Sequence, residues 1–130
     1  MAIGPVERAQ RYLREHQVMT LASYGDAGAW AAAVFYASDG FAIYFLSSPN
    51  SRHGRNLVQN PRASAAVHED YAQWSEIKGV QMEGITSMLA AEEEQNAKRV
   101  YGAKFPLIYQ HIKRLHLCLG GRLAGPMAIG

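Results

Sequence analysis

Apolar residues recur along this chain in two rhythms. Val6, Ala9 and Leu13 fall at helical spacing, with Glu7, Arg8, Arg11, Arg14 and Glu15 on the opposite face, which predicts a helix from Pro5 to about His16. Pro5 suits its first position, where a backbone N–H is not needed. The rhythm then shifts to short apolar runs broken by turn residues. Strands are predicted over 18–24, 30–37 and 41–46, separated by Gly25-Asp26-Ala27-Gly28 and by Ser38-Asp39-Gly40. Three strands joined by tight turns make an antiparallel meander.

A polar stretch, Ser47-Ser48-Pro49-Asn50-Ser51, ends the third run, and a helix is predicted over 51–59. Asn60-Pro61 stops it, because proline disfavours helix in the residue before it. A short strand is predicted over 63–67 and a long one over 77–89, in which Gly79 and Gly84 suggest bulges or bends. Residues 91–101 read as a helix, with Glu92, Glu93 and Glu94 in the first turn, Lys98 and Arg99 in the last, and Gly102 as the stop. Lys104-Phe105-Pro106 is a connector, 107–112 a further helical turn or two, and 114–119 another strand. The Gly-rich tail, 120–130, receives no element. The pattern is α+β: one domain, 1–130, built on a small antiparallel β-barrel of about six strands with flanking helices.

The chain has 130 residues, 48% hydrophobic and 18% charged, which suits a packed core and argues against disorder. A net charge of +2 with scattered basic residues gives no electrostatic footprint for nucleic acid, and no aromatic-and-basic RNA-binding motif occurs. A nucleic-acid module on a small barrel would show salt-dependent oligonucleotide binding. Cys118 is the only cysteine, so neither a disulfide framework nor a cysteine-built zinc site is expected; it reads as a small core hydrophobe. No metal site is expected. The N-terminus lacks a signal-peptide pattern and no apolar run approaches about 18 residues, so the expectation is a soluble cytoplasmic protein with no membrane partner.

The chemistry concentrates after the third strand. Ser47, Ser48 and Ser51 offer hydroxyls, the helix start offers unpaired N–H groups and a positive dipole end, and Arg52, His53 and Arg55 supply cationic or potentially cationic groups. Two readings fit. Ser51 is a plain N-cap with both arginines in water, or the corner is an anion site.

The order of motifs discriminates between them. Phe45-Leu46-Ser47-Ser48-Pro49-Asn50-Ser51-Arg52-His53, then Asn56-Leu57 and Asn60-Pro61-Arg62-Ala63, resembles the FMN-binding split barrels of the pyridoxamine 5′-phosphate oxidase-like family. The likeness extends to Thr20-Leu21-Ala22, Trp30-Ala31-Ala32-Ala33-Val34-Phe35-Tyr36, the stretch 77–84 and Tyr101-Gly102-Ala103-Lys104-Phe105-Pro106. It covers about residues 5–106 in order. No single motif is specific, but the ordered set is.

The resemblance implies a split barrel that binds FMN and acts as an oxidoreductase. Ser47, Ser51 and Arg52 would hold the phosphate; His53 stands where the oxidases usually carry lysine, and Arg55 is a compensating cation. Gln81 would reach the polar edge of the flavin, and the backbone of Ala32, Ala33 and Val34 would face the ring. Trp74 is a candidate to cover the flavin or line a substrate pocket. Such flavins sit at a homodimer interface. The oxidases themselves are longer and end in an Arg-Leu-His motif; Arg114-Leu115-His116 looks like it, but its flanks do not match, so the substrate need not be pyridoxamine phosphate. No catalytic residue is assigned. The alternatives are a flavin binder without turnover, or a barrel that binds the deazaflavin F420 or haem; His16, His53, His68, His111 and His116 make haem conceivable.

Overall fold

The rhythms of the sequence translate into four helices and seven strands in a computed structural model, which describes residues 3–115, 122–123 and 127–129. Helix α1, Pro5–Glu15, buries Ala9 and Leu13, four residues apart on one face. Strands β1, Val18–Gly25, and β2, Gly28–Asp39, form a hairpin paired from Val18↔Phe35 to Gly25↔Gly28. The chain enters β2 from the two-residue turn Asp26-Ala27 through Gly28, whose φ of +102° disfavours any L side chain. On β1 Met19, Leu21 and Ser23 are buried while Thr20 and Tyr24 face outward, the period-two signature of a half-buried strand. From Tyr36 onward β2 exchanges β1 for a new partner, β3 (Ala42–Phe45), in the register Tyr36↔Phe45 to Asp39↔Ala42.

Helix α2, Arg52–Gln59, leads to β4, Arg62–His68; a single 3-10 turn, Trp74–Glu76, precedes β5, Gly79–Ile85. The fifth strand is therefore shorter than the 77–89 expected. The pairing ends at Pro61: Thr86 N–H and its hydroxyl still donate to Pro61 O, at 2.8 and 2.9 Å and in register with the ladder, but proline has no N–H to return. No bulge interrupts it: the register runs unbroken from Arg62↔Ile85 to His68↔Gly79. Gly79 answers a close approach instead, since a Cβ there would lie 2.6 Å from Val67 O.

Helix α3, Ala91–Lys104, runs through Gly102 rather than stopping at it, and ends at Phe105 before Pro106. Gly102 packs against α4, Pro106–Leu115, where a Cβ would meet the Tyr109 ring at 3.2 Å. Arg114 and Leu115 lie in this helix, not in the strand expected over 114–119; the remainder of that stretch, Cys118 included, lies outside the described residues. Two short strands, β6 (Arg122–Leu123) and β7 (Met127–Ile129), fall in the tail. The sheet order is β6-β3-β2-β1-β4-β5-β7, antiparallel throughout the recorded pairings.

One face of this curved sheet encloses the main core, in which Leu13, Met19, Leu21, Tyr36, Ile43 and Phe45 are fully buried. A second cluster, Ala37, Tyr44, Ala97 and Tyr101, forms where α3 covers the outer side of β2 and β3. Lys104 closes the seam between them. Its ammonium donates to Leu13 O and to His16 O at the end of α1, and lies 4.2 Å from the Tyr36 ring centroid.

Burial lowers the Lys104 pKa from 10.5 to about 8. Between these values the unfolded chain binds more protons than the folded one, so stability rises with pH across that window. Burial also raises Tyr36 and pushes Tyr101 up to about 12, which opposes the trend once unfolded tyrosines ionise near pH 10. The unfolding free energy from urea titration should be larger at pH 9.5 than at pH 7.5 by roughly 1 kcal/mol after allowance for solvent screening. Lys104→Met should remove the difference.

Candidate functional site

The polar corner is built by a turn packed against a helix start. Ser51 is the N-cap of α2: its Oγ accepts from Gly54 N–H at 3.1 Å and donates to Ser48 O at 2.7 Å. Ser48 O also accepts from Ser51 N–H at 3.1 Å, which folds the turn back on itself. Gly54 makes this possible, because a Cβ there would lie 2.2 Å from Ser48 O, 2.9 Å from Ser51 Oγ and 3.0 Å from Ser47 Oγ. The result is a shallow cradle whose rim carries the Ser47 hydroxyl and the N–H groups of Arg52 and His53. Among the described residues none of the three has a partner.

Arg52 does not extend into solvent. Its Nη2 donates to Ala27 O at 3.1 Å, its guanidinium carbon sits 4.2 Å from the Trp30 ring centroid, and its Nε is buried without a partner among the described residues. The cation is partly exposed, but its buried, unused Nε donor favours an acceptor that completes it. Arg55, one turn on, donates from Nη1 to Asn50 O at 2.6 Å and is exposed. The His53 ring lies 3.4 Å from Ser51 Oγ, and burial lowers its pKa below the ordinary 6.5, so the imidazole is neutral at pH 7. Asn56, buried, anchors the helix by donating to Ser23 Oγ at 3.1 Å, while Gln59 accepts from Asp26 N–H at 3.0 Å.

Beside the corner β2 loses its partner. Since Tyr36 N–H donates to Gln17 O on the β1 side, strand alternation turns the peptide groups of Ala32 and Val34 toward β1 as well. Those of Ala31, Ala33 and Phe35 point the other way, to the edge that β3 vacates after Phe45. Of the three residues expected to present backbone to a ring, Ala33 offers its polar groups to this edge. Val34 is buried in the core.

The corner thus gathers Ser47, Ser51, Arg52, His53 and Arg55 beside Ala33. Gln81 and Trp74 are not brought to it. Gln81 stands on the outer face of β5, paired with Ala66 of β4, whereas α2 is anchored to Ser23 on the inner face. Trp74 is 85% exposed in the connection between β4 and β5, at the end of the sheet remote from α2. Sequence reasoning missed Trp30, Ala27 and Gly54 as parts of the corner. The glycine was a usable signal, since an interior helical glycine often marks a close approach.

Among the described residues, no group of three or more His, Cys, Asp or Glu side chains could hold a metal ion, and no helix is long and apolar enough to cross a membrane. The family model described as pyridoxamine 5′-phosphate oxidase matches residues 6–117. A UPF0306 protein of Yersinia pseudotuberculosis serotype O:1b is 30% identical over 99 residues, 75% of this chain and 67% of that protein. Among solved structures, HutZ, the haem storage protein of Vibrio cholerae, superposes with a TM-score of 0.81 at 21% identity, covering 95% of this chain and 92% of that one. An FAD-binding protein of Mesorhizobium loti gives 0.74 at 18% identity, with 98% and 92% covered. At these identities the two structures establish a shared fold.

Proposed function

This chain belongs to the pyridoxamine 5′-phosphate oxidase family, and from that premise we propose that it binds FMN and serves as a flavin-dependent oxidoreductase of the cytoplasm. The observation that carries this reading is the Gly54 cradle, whose unused donors (the Ser47 hydroxyl, two helix N–H groups and Arg52 Nε) match the acceptor-rich surface of a phosphate monoester. Ser47, Arg52, His53 and Arg55 would hold that phosphate, while the edge at Ala33 would meet the ring. Ser51 acts indirectly by fixing the turn, since its hydroxyl is already committed. When bound, FMN supplies hydride and electron transfer; the chain's share is binding and orientation. No side chain is assigned an acid–base role.

Gln81 and Trp74 cannot join the corner of their own copy, so their roles toward the flavin require a second chain. We therefore read the protein as a homodimer with sites completed across its interface. The decisive test is the absorption spectrum of purified protein and the mass of the ligand released on denaturation. FMN, absorbing near about 450 nm, supports the proposal. A Soret band would assign haem, absorption near about 420 nm F420, and a yellow protein that no donor reduces would assign binding without turnover. Arg52→Ala should lower FMN affinity by roughly 10-fold to 100-fold, the scale of a lost charge-assisted contact. Unchanged occupancy would overturn the site assignment.

His53 makes affinity pH-dependent. Burial holds it neutral at pH 7, and a bound phosphate favours its protonation, so affinity should rise as pH falls through the histidine range and weaken as pH rises. His53→Lys is expected to bind FMN about fivefold tighter at pH 8 and to flatten the slope between about pH 5.5 and 8, relative to the parent protein. The phosphate's own ionisation is common to both proteins and cancels in that comparison.

A further inference from the structure

Helix α2 meets the β1–β2 hairpin along one row of side chains. Arg52, Asn56 and Gln59 are spaced i, i+4 and i+7, which puts them on one helix face. Asn56 donates to Ser23 Oγ, Gln59 accepts from Asp26 N–H, and Arg52 donates to Ala27 O. The two amides fix the helix on the hairpin. Arg52, first in the row and next to the N-cap, is the member that stands beside the cradle.

Two neutral groups hold its guanidinium, and neither reduces its charge. The Ala27 carbonyl takes Nη2 at 3.1 Å, and the Trp30 ring centroid lies 4.2 Å from the guanidinium carbon. Among the described residues no carboxylate is paired with Arg52. A carboxylate would hold the side chain too, but it would neutralise the cation and fill the edge that an incoming anion needs. An indole attracts the cation through its ring quadrupole and adds no counter-charge. Trp30 is opposite Ser23 in the hairpin and shares its inner face, yet it is 42% exposed and belongs to neither hydrophobic cluster. Core packing does not account for a tryptophan here; contact with Arg52 does.

We infer that Trp30 is a positioning residue for the phosphate site: its ring holds the fully charged Arg52 guanidinium where the phosphate monoester of FMN meets it, and so sets the preference for FMN over riboflavin. The inference rests on the FMN reading above and adds to it a residue outside the cradle and a selectivity. Its physical basis is preorganisation. A free arginine side chain surrenders rotamer freedom when an anion binds, whereas one already held by a ring and a carbonyl has surrendered much of it on folding. Riboflavin lacks the phosphate and makes no use of Arg52, so the same ring gives it no advantage.

Flavin-fluorescence titration of the full chain with FMN and with riboflavin tests it. The parent protein should bind FMN ~100-fold more tightly than riboflavin. Trp30→Leu should weaken FMN binding by ~10-fold and riboflavin binding by less than ~2-fold. Trp30→Phe, whose ring is a weaker partner for a cation, should lose only ~3-fold for FMN, and it carries the test should the leucine variant not fold. In an Arg52→Ala background neither substitution should weaken FMN binding further, because the cation that the ring holds is gone. A parent protein that does not prefer FMN overturns the phosphate reading of the corner itself. A parent that prefers FMN, with Trp30 variants of parental affinity or with losses that add to that of Arg52→Ala, overturns only the positioning role. Equal losses for FMN and riboflavin overturn it too, since they would put the ring against the flavin rather than behind the arginine.

Discussion

Gly54→Ala is expected to destabilise the protein by about 2–4 kcal/mol and to lower FMN affinity by at least about 100-fold. Two effects compete. Alanine favours a helix interior by about 1 kcal/mol over glycine, so a helix considered alone would be stabilised. Against this, the new Cβ would stand 2.2 Å from Ser48 O and 2.9 Å from Ser51 Oγ, both parts of the turn that caps the helix. Neither is the free end of a flexible side chain, so the turn must move, and the Ser51–Gly54 and Ser51–Ser48 hydrogen bonds go with it. The steric term wins. Urea unfolding gives the stability change, and FMN titration of the folded fraction gives the binding change. A more stable variant with parental affinity would show that the cradle is not set by this contact.

The second large effect is expected at Tyr36. Its side chain is fully buried, its hydroxyl donates to Leu13 O at 2.7 Å, and its ring faces the Lys104 ammonium. Tyr36→Ala should cost about 3–5 kcal/mol, the range for deleting a buried aromatic, and Tyr36→Phe only about 1 kcal/mol for the lost hydroxyl. The larger loss is comparable with the whole stability of a small domain, so Tyr36→Ala should be substantially unfolded at 37 °C. Circular dichroism melts of both variants measure the split. Equal losses would mean that the hydroxyl, not the ring, holds the junction of α1, β2 and α3.

These two positions also mark how far local rules reach. Ser51 as a cap and Asn60-Pro61 as a stop are decided within a few residues, and both were legible. So were the two tight hairpins, because Gly28 and Gly40 meet a backbone requirement at the turn itself, with φ of +102° and +62°. The end of β5 was not legible: apolar residues continue past Ile85, and what ends the pairing is the residue opposite Thr86 in the ladder, Pro61, 25 positions distant, which has no N–H to return. Gly102 misled for the same reason. Its local reading as a helix stop ignores the Tyr109 ring packed on it from the following helix. Within the candidate site, the residue types at the corner could be read directly. The course of Arg52 under Ala27 and against Trp30 could not, because it depends on how α2 lies against the hairpin. The separation of Gln81 and Trp74 from the corner likewise follows from sheet curvature and face, which no spacing along the chain encodes.

The change of partner along β2 has a kinetic consequence. Residues 28–35 are zipped to β1 by a local hairpin, whereas 36–39 are held by β3, a strand of only four residues. Local opening of the short pairing need not disturb the long one, so a single strand belongs to two cooperative units. Amide hydrogen exchange should divide β2 at Tyr36, with slow amides among those bonded to β1 and faster ones among those bonded to β3. The edge beside the corner lies at that boundary, so a cofactor seated there would tie the two units together and slow exchange in the second half of β2 more than in the first.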